Sequence, residues 1–206
     1  MNAITELFLK QRGIYQIPRT EYSYSGEISD DIYSINSNAE RKSSTLNYSL
    51  LIDRINRETV QNRLDRTGCR LYLATKSETV VGYAWALEGA DPPRWHDKVP
   101  VSNDELLLFD AFIDPEYRRQ GWYSQLHAAR VSGTHKKTII TVVETTNTPS
   151  AEANEMFGLS AEGRNILIKI FGINLLSIIR GRDKNKIAIR IDVPSVKAAI
   201  RHYRSL

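Results

Sequence analysis

Residues 107–130, LLFDAFIDPEYRRQGWYSQLHAAR, decide the fold that this sequence predicts. Their first half is an apolar run that stops at Pro115, because proline cannot donate a hydrogen bond to a neighbouring strand. Their second half places Trp122 and Leu126 one helical turn apart, and Gly133 follows the last apolar turn. The pattern predicts a strand, a short turn and a helix.

The turn between this strand and helix is basic and contains one glycine. At the start of a helix, backbone N–H groups have no partner within the helix and the dipole is positive. Guanidinium groups beside those donors, and a glycine that lets an anion approach the backbone, complete a phosphate-binding arrangement. The same pattern can equally form an ordinary α/β surface. The turn consists of Arg118, Arg119, Gln120, Gly121, Trp122 and Tyr123.

Residues 113–123, IDPEYRRQGWY, resemble motif A of the GNAT superfamily of acetyl-CoA-dependent N-acyltransferases. In that family a hydrophobic residue and a proline end the fourth strand, and a Q/R-x-x-G-x-G/A turn wraps the pyrophosphate of CoA. Arg118 and Gly121 match this pattern. Tyr123 departs from it, since the family usually has a second Gly or Ala there.

Residues 147–159, NTPSAEANEMFGL, resemble a second GNAT pattern, N-x-x-A followed by a terminal G-F before the sixth strand. Asn147, Ser150, Gly158 and Leu159 occupy the corresponding positions. One helix and one strand separate the two motifs, as the family requires. The pair therefore carries more weight than either motif alone.

The second motif also predicts a short helix, with Thr148 as its N-cap and Gly158 as its end. It departs from the family at Asn154, which stands where many members place the tyrosine that reprotonates the CoA thiolate. A general acid therefore cannot be assigned here by analogy. A thiol with a reference pKa near ~8.5 leaves tolerably without one.

The resemblance covers roughly residues 80–168 and implies a GNAT fold of the α/β (α+β) class. We expect a mixed, mainly antiparallel sheet of about six or seven strands with helices on both faces. The implied activity is that of an acetyl-CoA-dependent N-acetyltransferase, a transferase that moves an acetyl or other acyl group from acyl-CoA to a primary amine. Acetyl-CoA or another acyl-CoA would be the donor, and no metal is expected.

The sequence is similar to GNAT members associated with bacterial cell-envelope and polysaccharide formation. An amino sugar, free or nucleotide-linked, is therefore the first expectation for the acceptor, and a peptide or protein amine is the second. A non-catalytic module that binds CoA or an acyl ligand is the alternative from another class, encouraged by Tyr123 and Asn154.

The resemblance also implies where the cofactor binds. Backbone N–H groups near the end of the central strand would contact the thioester carbonyl and the pantetheine, and the basic turn would hold the diphosphate. The predicted cofactor-binding residues are Phe112, Ile113, Arg118, Arg119, Gln120, Gly121, Trp122, Tyr123, Ser124 and Asn147.

The acceptor amine must lose a proton before it attacks, because an alkylammonium has no lone pair. Glu144, at the end of the next predicted strand, is the first candidate for the base, although it is as readily a solvated strand end. Asp110 and His96 are the second choices. Asp110 would be a buried carboxylate if its neighbours are core, or it could bond loop amides. The predicted catalytic positions are Glu144, Asp110 and the divergent Asn154.

Composition bounds the class of protein. The 206 residues, 41% of them hydrophobic, suffice for one core and are few for two, so we expect a single domain over residues 1–206. The single cysteine, Cys69, excludes an internal disulfide and is expected to be a small core residue. The sequence has no leader and no run of about 18 apolar residues, which favours a cytoplasmic protein without stable membrane insertion.

The formal charge of +4 is uneven, because residues 180–206 hold eight Lys and Arg against Asp183 and Asp192. This tail could face nucleic acid, lipid or cofactor phosphates, but a solvated basic face is the plainer interpretation and no nucleic-acid partner is expected. The apolar segment 171–180 predicts a helical insert that covers the acceptor end or forms a homodimer contact, with a membrane surface as the less favoured alternative.

The remaining elements follow from periodicity and from turn residues. His127 and His135 are expected at the surface, and residues 88–104 are expected to form a loop that displays Trp95 and His96. In chain order we predict a helix-like patch at 4–8, a strand at 20–28, a loop at 34–44, a helix at 46–66, a hairpin of 71–74 and 80–87, strands at 138–143, 163–170 and 186–191, and a helix at 194–203.

Overall fold

The computed structural model describes residues 7–22, 24–97, 99–170, 173–180 and 187–191. The chain divides into two compact units, each assembled from separate segments. Unit 1 comprises the described parts of Met1–Ile17, Trp95–Pro100 and Thr141–Leu206, and unit 2 comprises those of Pro18–Arg94 and Val101–Ile140. A single domain over residues 1–206 stays a prediction.

Strands dominate the described residues, and most helices are short. In chain order the elements are β1 (Leu7–Pro18), β2 (Ile32–Ile35), α1 (Asn38–Ser43), α2 (Ser49–Arg54), α3 (Arg57–Leu64), β3 (Cys69–Lys76), β4 (Thr79–Glu88), β5 (Arg94–His96), β6 (Val99–Val101), β7 (Glu105–Ile113), a 3-10 turn (Pro115–Tyr117), α4 (Trp122–Ser132), β8 (Thr138–Glu144), α5 (Thr148–Met156), β9 (Ser160–Ile170), β10 (Ile173–Arg180) and β11 (Ile187–Ile191).

Unit 2 is built on the antiparallel strands β2, β3, β4 and β7, paired in that order. Strands β3 and β4 are buried along nearly their whole length, which explains their continuous apolar sequences. Helix α4 packs against β3, β4 and β7, while α2 packs against β4 and α3 against β3. Trp85 of β4 is fully buried in this core. The predicted strand, turn and helix of residues 107–130 are confirmed as β7, the 3-10 turn and α4.

Unit 1 contains a second antiparallel arrangement, in which β9 pairs with β1 on one side and with β10 on the other, and β10 pairs with β11. A buried polar cluster ties it together. Arg12 of β1 is only 4% exposed, and its Nε donates to Oδ1 of the fully buried Asn165 of β9 over 2.9 Å. The same guanidinium pairs with the carboxylate of Asp97 and donates to its carbonyl oxygen. A buried charge needs such partners to be tolerated.

The sequence pattern is wrong about two segments of unit 1. The helix-like patch at 4–8 is strand from Leu7 onward, and residues 4–6 lie outside the described part. The helical insert at 171–180 is instead strand β10 from Ile173 onward, because its β-branched side chains suit a strand held between β9 and β11. Phe171 and Gly172 lie outside the described residues, as do the helix at 194–203 and the tail from residue 192.

Three other predicted segments differ in unit 2, and in two of them a side-chain cap starts a helix that the hydrophobic pattern does not indicate. The described residues of 20–28 are irregular, not a strand, and 34–44 hold the end of β2 and helix α1 instead of a loop. The cap of α1 is Ser37, whose side chain accepts from Glu40 N. The helix at 46–66 is broken into α2 and α3, because the Asn56 side chain accepts from Thr59 N over 2.8 Å and starts a new helix.

The predicted hairpin and the later strands hold. The hairpin is confirmed as β3 and β4, and the later strands are confirmed as β8, β9 and β11. The loop at 88–104 contains the two short strands β5 and β6, which its prolines concealed. In the described part of the chain, no helix has the length and apolarity that crossing a bilayer requires.

The buried cluster of Arg12 predicts a large effect of one substitution. Asn165→Leu keeps the side-chain volume but removes the acceptor of the Arg12 guanidinium. We expect the free energy of unfolding to fall by roughly 2 to 4 kcal/mol, the cost of leaving part of a buried charge unpaired. Urea denaturation measures it. Gln11→Ala, at an exposed neighbour on β1, is the control and should change stability by less than about 0.5 kcal/mol; equal effects of the two would contradict the role of the cluster.

Candidate functional site

Two side-chain contacts hold the turn that follows β7. Asp114 Oδ1 accepts from Glu116 N over 3.0 Å and so caps the 3-10 turn that begins at Pro115. Arg118 Nε donates back to the carbonyl oxygen of Ile113 over 3.1 Å. The chain is thereby turned back on the end of the strand, and the Arg118 guanidinium is kept beside it.

The backbone after this turn is left-handed at two positions. Arg119 has φ +61° and Gly121 has φ +83°. A left-handed residue other than glycine costs about 1 to 2 kcal/mol, and strain of this kind concentrates at functional sites. A Cβ at Gly121 would meet no atom within 4 Å, so the glycine is needed for its left-handed backbone and not for close packing. The space in front of the helix is therefore open.

Helix α4 begins at this open space. Gly121 is its N-cap residue and has no side chain that could accept a hydrogen bond from the first turn of the helix. Because the first amides of a helix have no acceptor within it, this end of α4 is suited to an anionic ligand. The Trp122 indole Nε1 is also buried without a hydrogen-bond partner in the described part of the chain. With Arg118 and Arg119 exposed beside it, the turn has the donors and charge for a diphosphate.

Tyr123, the departure from the family pattern, does not extend across this turn. Its hydroxyl accepts a hydrogen bond from Arg130, two turns further along α4, and its ring lies 6.0 Å from the ring of His127. Arg130 is buried and also donates to the carbonyl oxygens of Leu126 and Trp85. The large side chain therefore lies along the helix and does not fill the space in front of Gly121.

The prediction that His127 lies at the surface is wrong. His127 is fully buried, its ring is stacked on Tyr22 at 5.5 Å, and its Nδ1 lies 2.9 Å from Tyr22 Oη. Burial raises the pKa of Tyr22 to about 12 and lowers that of Arg130 from its usual value. His135 is exposed, and Cys69 is a buried core residue, as expected.

A β-bulge interrupts β7 before the turn. Tyr83 of β4 pairs with Phe112, but Trp85 pairs with Phe109, so two residues of β7 lie opposite one residue of β4. Asp110 in this bulge has φ +45°. A bulge leaves a backbone group of the extra residue outside the ladder. The residues of β7 without a partner in the register are Asp110 and Ala111, whereas Phe112 and Ile113 are paired with β4, and a thioester contact from an amide near Phe112 and Ile113 stays a prediction.

The bulge also creates an aromatic face, which we define as Tyr83, Trp85, Phe109 and Phe112. In a regular strand, residues three apart point to opposite sides. Here Phe109 stacks on Trp85 at 6.3 Å and Phe112 on Tyr83 at 5.9 Å. Because Tyr83 and Trp85 are two apart on β4, all four rings lie on one side of the sheet.

Arginines from α2 and α3 cover the aromatic face. The Arg54 guanidinium carbon lies 4.1 Å from the centroid of the Phe112 ring, and that of Arg63 lies 5.1 Å from the Trp85 ring. Arg63 also pairs with Asp110, whose side chain is 35% exposed. Asp110 is therefore not the buried carboxylate that its neighbours suggested. Sequence reasoning missed both arginines, because nothing in α2 or α3 shows which strand they reach.

The three other predicted residues lie in unit 1. Glu144 is the last residue of β8, is exposed and pairs with Lys10. Asn147, not Thr148, is the N-cap of α5, and its Oδ1 accepts from Ser150 N over 3.3 Å. Asn154 is 4% exposed and donates from Nδ2 to the carbonyl oxygen of Ser150 over 2.7 Å. That amide satisfies the helix, and neither of its polar atoms can supply an acidic proton.

The predicted residues thus fall into two groups. Those at the end of β7, in the turn and at the start of α4 lie together in unit 2, whereas Glu144, Asn147 and Asn154 belong to unit 1. His96 is half-buried in β5, and the Trp95 side chain lies outside the described part. Within the described residues, no three His, Cys, Asp or Glu side chains lie close enough to hold a metal ion.

No protein-family model matches the sequence, and no curated protein shows a significant match. Among solved structures, the chain is similar to a conserved protein of unknown function from Staphylococcus epidermidis, with 12% identity, a TM-score of 0.55 and coverage of 77% of this chain and 60% of that one. The aminoglycoside N-acetyltransferase AAC(6')-Iy in complex with CoA is similar at 18% identity and a TM-score of 0.44, over 63% and 91% of the two chains. The GCN5-related N-acetyltransferase from Kribbella flavida is similar at 10% identity and a TM-score of 0.46, over 78% of this chain and 58% of that one.

These similarities concern the fold, since the identities are 18% or lower. The predicted class, α/β with a mainly antiparallel sheet and helices, is confirmed. The neighbours with a named activity are N-acetyltransferases, and one of them was solved with CoA. This chain spans 60% of the Staphylococcus protein and 58% of the Kribbella protein.

The buried phenols predict the behaviour at high pH. Burial raises the pKa of Tyr83 to about 12, and the nearby Asp110 carboxylate adds to the rise, while burial does the same for Tyr22. An unfolded tyrosine ionises near its ordinary value of 10.0, so the unfolded state loses its protons first. The free energy of unfolding should therefore fall as pH rises from about 10 to about 12.

Ultraviolet titration of phenolate, with circular dichroism to follow folding, tests this expectation. Tyr22→Phe and Tyr83→Phe should each remove one late-titrating phenol from the folded protein. Tyr33→Phe, at an exposed tyrosine, is the control and should leave both late-titrating phenols in place. A folded protein whose tyrosines all ionise together near pH 10 would contradict the assignment.

Proposed function

We propose that this chain is an acyl-CoA-dependent N-acyltransferase, which moves an acetyl or other acyl group to a primary amine. The observation that carries the proposal is the start of α4, where the left-handed cap residue Gly121 leaves open space in front of the helix N-terminus and contributes no capping side chain. Arg118 and Arg119 stand beside those amides. The diphosphate of CoA is the ligand that we place there, in accordance with the motif A resemblance.

The β7 bulge is the second element of the proposal. The thioester would lie along the end of β7, with its carbonyl oxygen against an amide near Phe112. A preorganised N–H at that position stabilises the negative charge that develops on the oxygen when the amine attacks. The bulge is suited to this task because it takes a donor out of the sheet ladder.

The reaction itself needs little covalent help. The amine nitrogen attacks the thioester carbon, a C–N bond forms, the C–S bond breaks, and the amine proton passes to a base. The products are the amide and CoA thiol, which can leave as thiolate and take a proton from solvent. The protein contributes mainly by holding the two reactants in line, which is consistent with an amide side chain at Asn154.

We propose an amino sugar, free or nucleotide-linked, as the acceptor, and Glu144 as the base. A peptide amine is the other acceptor to test. Incubation of the protein with acetyl-CoA and a panel of amines, followed by detection of free thiol, tests the activity. CoA binding without thiol release from any acceptor would instead indicate a non-catalytic CoA-binding module.

The assignment of the Gly121 turn to the CoA diphosphate predicts that substitutions there lower the affinity for the cofactor. Arg118→Ala with Arg119→Ala removes two charge-assisted contacts, so the Kd for CoA should rise on the order of 100-fold, at about 1.4 kcal/mol for each tenfold change. Isothermal titration with CoA measures the effect. Lys42→Ala with Arg57→Ala removes the same charge from exposed positions on α1 and α3 and should leave the Kd within about threefold. If both double variants weakened CoA binding equally, the effect would come from net charge alone, and the assignment of the turn to the diphosphate would be contradicted.

The role of Glu144 predicts a pH-dependent defect. In Glu144→Gln the rate should fall at neutral pH and recover partly as pH rises, because the free amine form of the acceptor then becomes more abundant. Lys10→Met breaks the same ion pair but keeps the carboxylate, so it should retain most of the rate. Wild-type rates in Glu144→Gln throughout the pH range would exclude Glu144 as the base, and an equal defect in Lys10→Met would show that the ion pair is structural.

A further inference from the structure

We propose that the amine acceptor carries an anionic group, a carboxylate or a phosphate, and that Arg54 binds this group. The inference rests on the proposed function and names the chemistry of its acceptor. It follows from the charges that cover the aromatic face, Tyr83, Trp85, Phe109 and Phe112. This face ends at Phe112, and the proposed function puts the acyl carbon of the bound acyl-CoA near that residue.

Arg54 is held in position by neutral partners. Its guanidinium lies against the Phe112 ring at 4.1 Å and donates a hydrogen bond to the Tyr83 hydroxyl. It is the last residue of α2, and the helix packs against β4. Stacking on an aromatic ring orients a guanidinium without neutralising it, and the remaining N–H groups keep their fork geometry.

Two other arginines near this end of β7 are already assigned to partners. Arg63 pairs with the Asp110 carboxylate, and Arg118, 5.8 Å from the Phe112 centroid, belongs to the turn assigned to the CoA diphosphate. In the part of the chain that the structure describes, no carboxylate forms an ion pair with Arg54. The positive charge of Arg54 thus has no carboxylate partner in the described part of the chain, and it stands exposed beside the proposed reacting centre.

This charge selects among amines. A polycationic amine would meet like charge at the moment when its ammonium approaches the thioester. An amine with a carboxylate or phosphate can instead form a bidentate contact with the guanidinium, which is the strongest form of this interaction. The same positive charge disfavours the protonated amine and so eases the loss of its proton. Arg54 would therefore act in binding and orientation, not as a reacting group.

Matched pairs of acceptors test the inference. Thiol release from acetyl-CoA is measured with glucosamine against glucosamine 6-phosphate, and with β-alanine against its amide, with spermidine as the polycation. The wild-type protein should favour the anionic member of at least one pair by more than about tenfold in kcat/KM, which a bidentate charge-assisted contact readily provides. Preference for the phosphate or for the carboxylate identifies which anion is bound.

Arg54→Gln should reduce that preference to within about threefold, mainly by raising KM for the anionic amine, while the neutral amine keeps most of its rate. Arg54→Lys should restore part of the preference, because it keeps the charge but loses the fork. Arg57→Gln removes an exposed arginine three residues away and should leave the preference unchanged. Thermal unfolding followed by circular dichroism checks that each variant is folded.

Several results would overturn the inference. If thiol release is as fast with the neutral amines or with spermidine as with the anionic amines, the protein does not recognise an anionic group on the acceptor. An unchanged preference in folded Arg54→Gln would assign the recognition to other residues. If no amine releases thiol although CoA binds, the proposed transferase activity fails, and the acceptor inference fails with it.

Discussion

The extra residue in β7 is the constraint on which the rest of unit 2 depends. Side chains alternate along a strand, so one inserted residue reverses the side to which everything after it points. In this chain the insertion falls between Phe109 and Phe112 and brings both rings onto the side of Tyr83 and Trp85. The final residues of the strand then meet the turn at Asp114 with their side chains already oriented for the contacts that follow.

Such a bulge persists only if its surroundings compensate for the strain. The left-handed backbone at Asp110 is accompanied by the ion pair with Arg63 and by two stacked ring pairs. Gly82 permits the close approach of β4 to the end of β7, since a Cβ there would clash with Ile113 Cδ1 and lie 3.0 Å from the Phe112 carbonyl oxygen. The ion pair, the stacked rings and the glycine thus stabilise the bulge together. Strained backbone persists at functional sites where the surrounding structure supports it in this way.

What the sequence predicts well is local. Residues 107–130 contain their own strand, turn and helix signals, so the turn around Gly121 could be placed without knowing any distant partner. The cap of α1 is also a local signal, since Ser37 and Glu40 have capping-box spacing, although the polar composition around them predicts a loop. The bulge, the burial of His127 and the position of Arg54 depend on residues far away in sequence, and no local pattern reports them.

The difference between local and long-range sequence signals also distinguishes the two parts of the proposed activity, cofactor binding and acceptor binding. The contacts proposed for the CoA diphosphate come from one continuous segment, so a short motif suffices to suggest them. The proposed acceptor contact depends on α2, which like α3 brings its arginine to β7 only through tertiary packing. Under this proposal, substitutions on α2 would change which amine is bound while the turn at Gly121 stays the same. A resemblance in that turn accordingly indicates the donor, whereas the charge left over at Arg54 is the better guide to the acceptor.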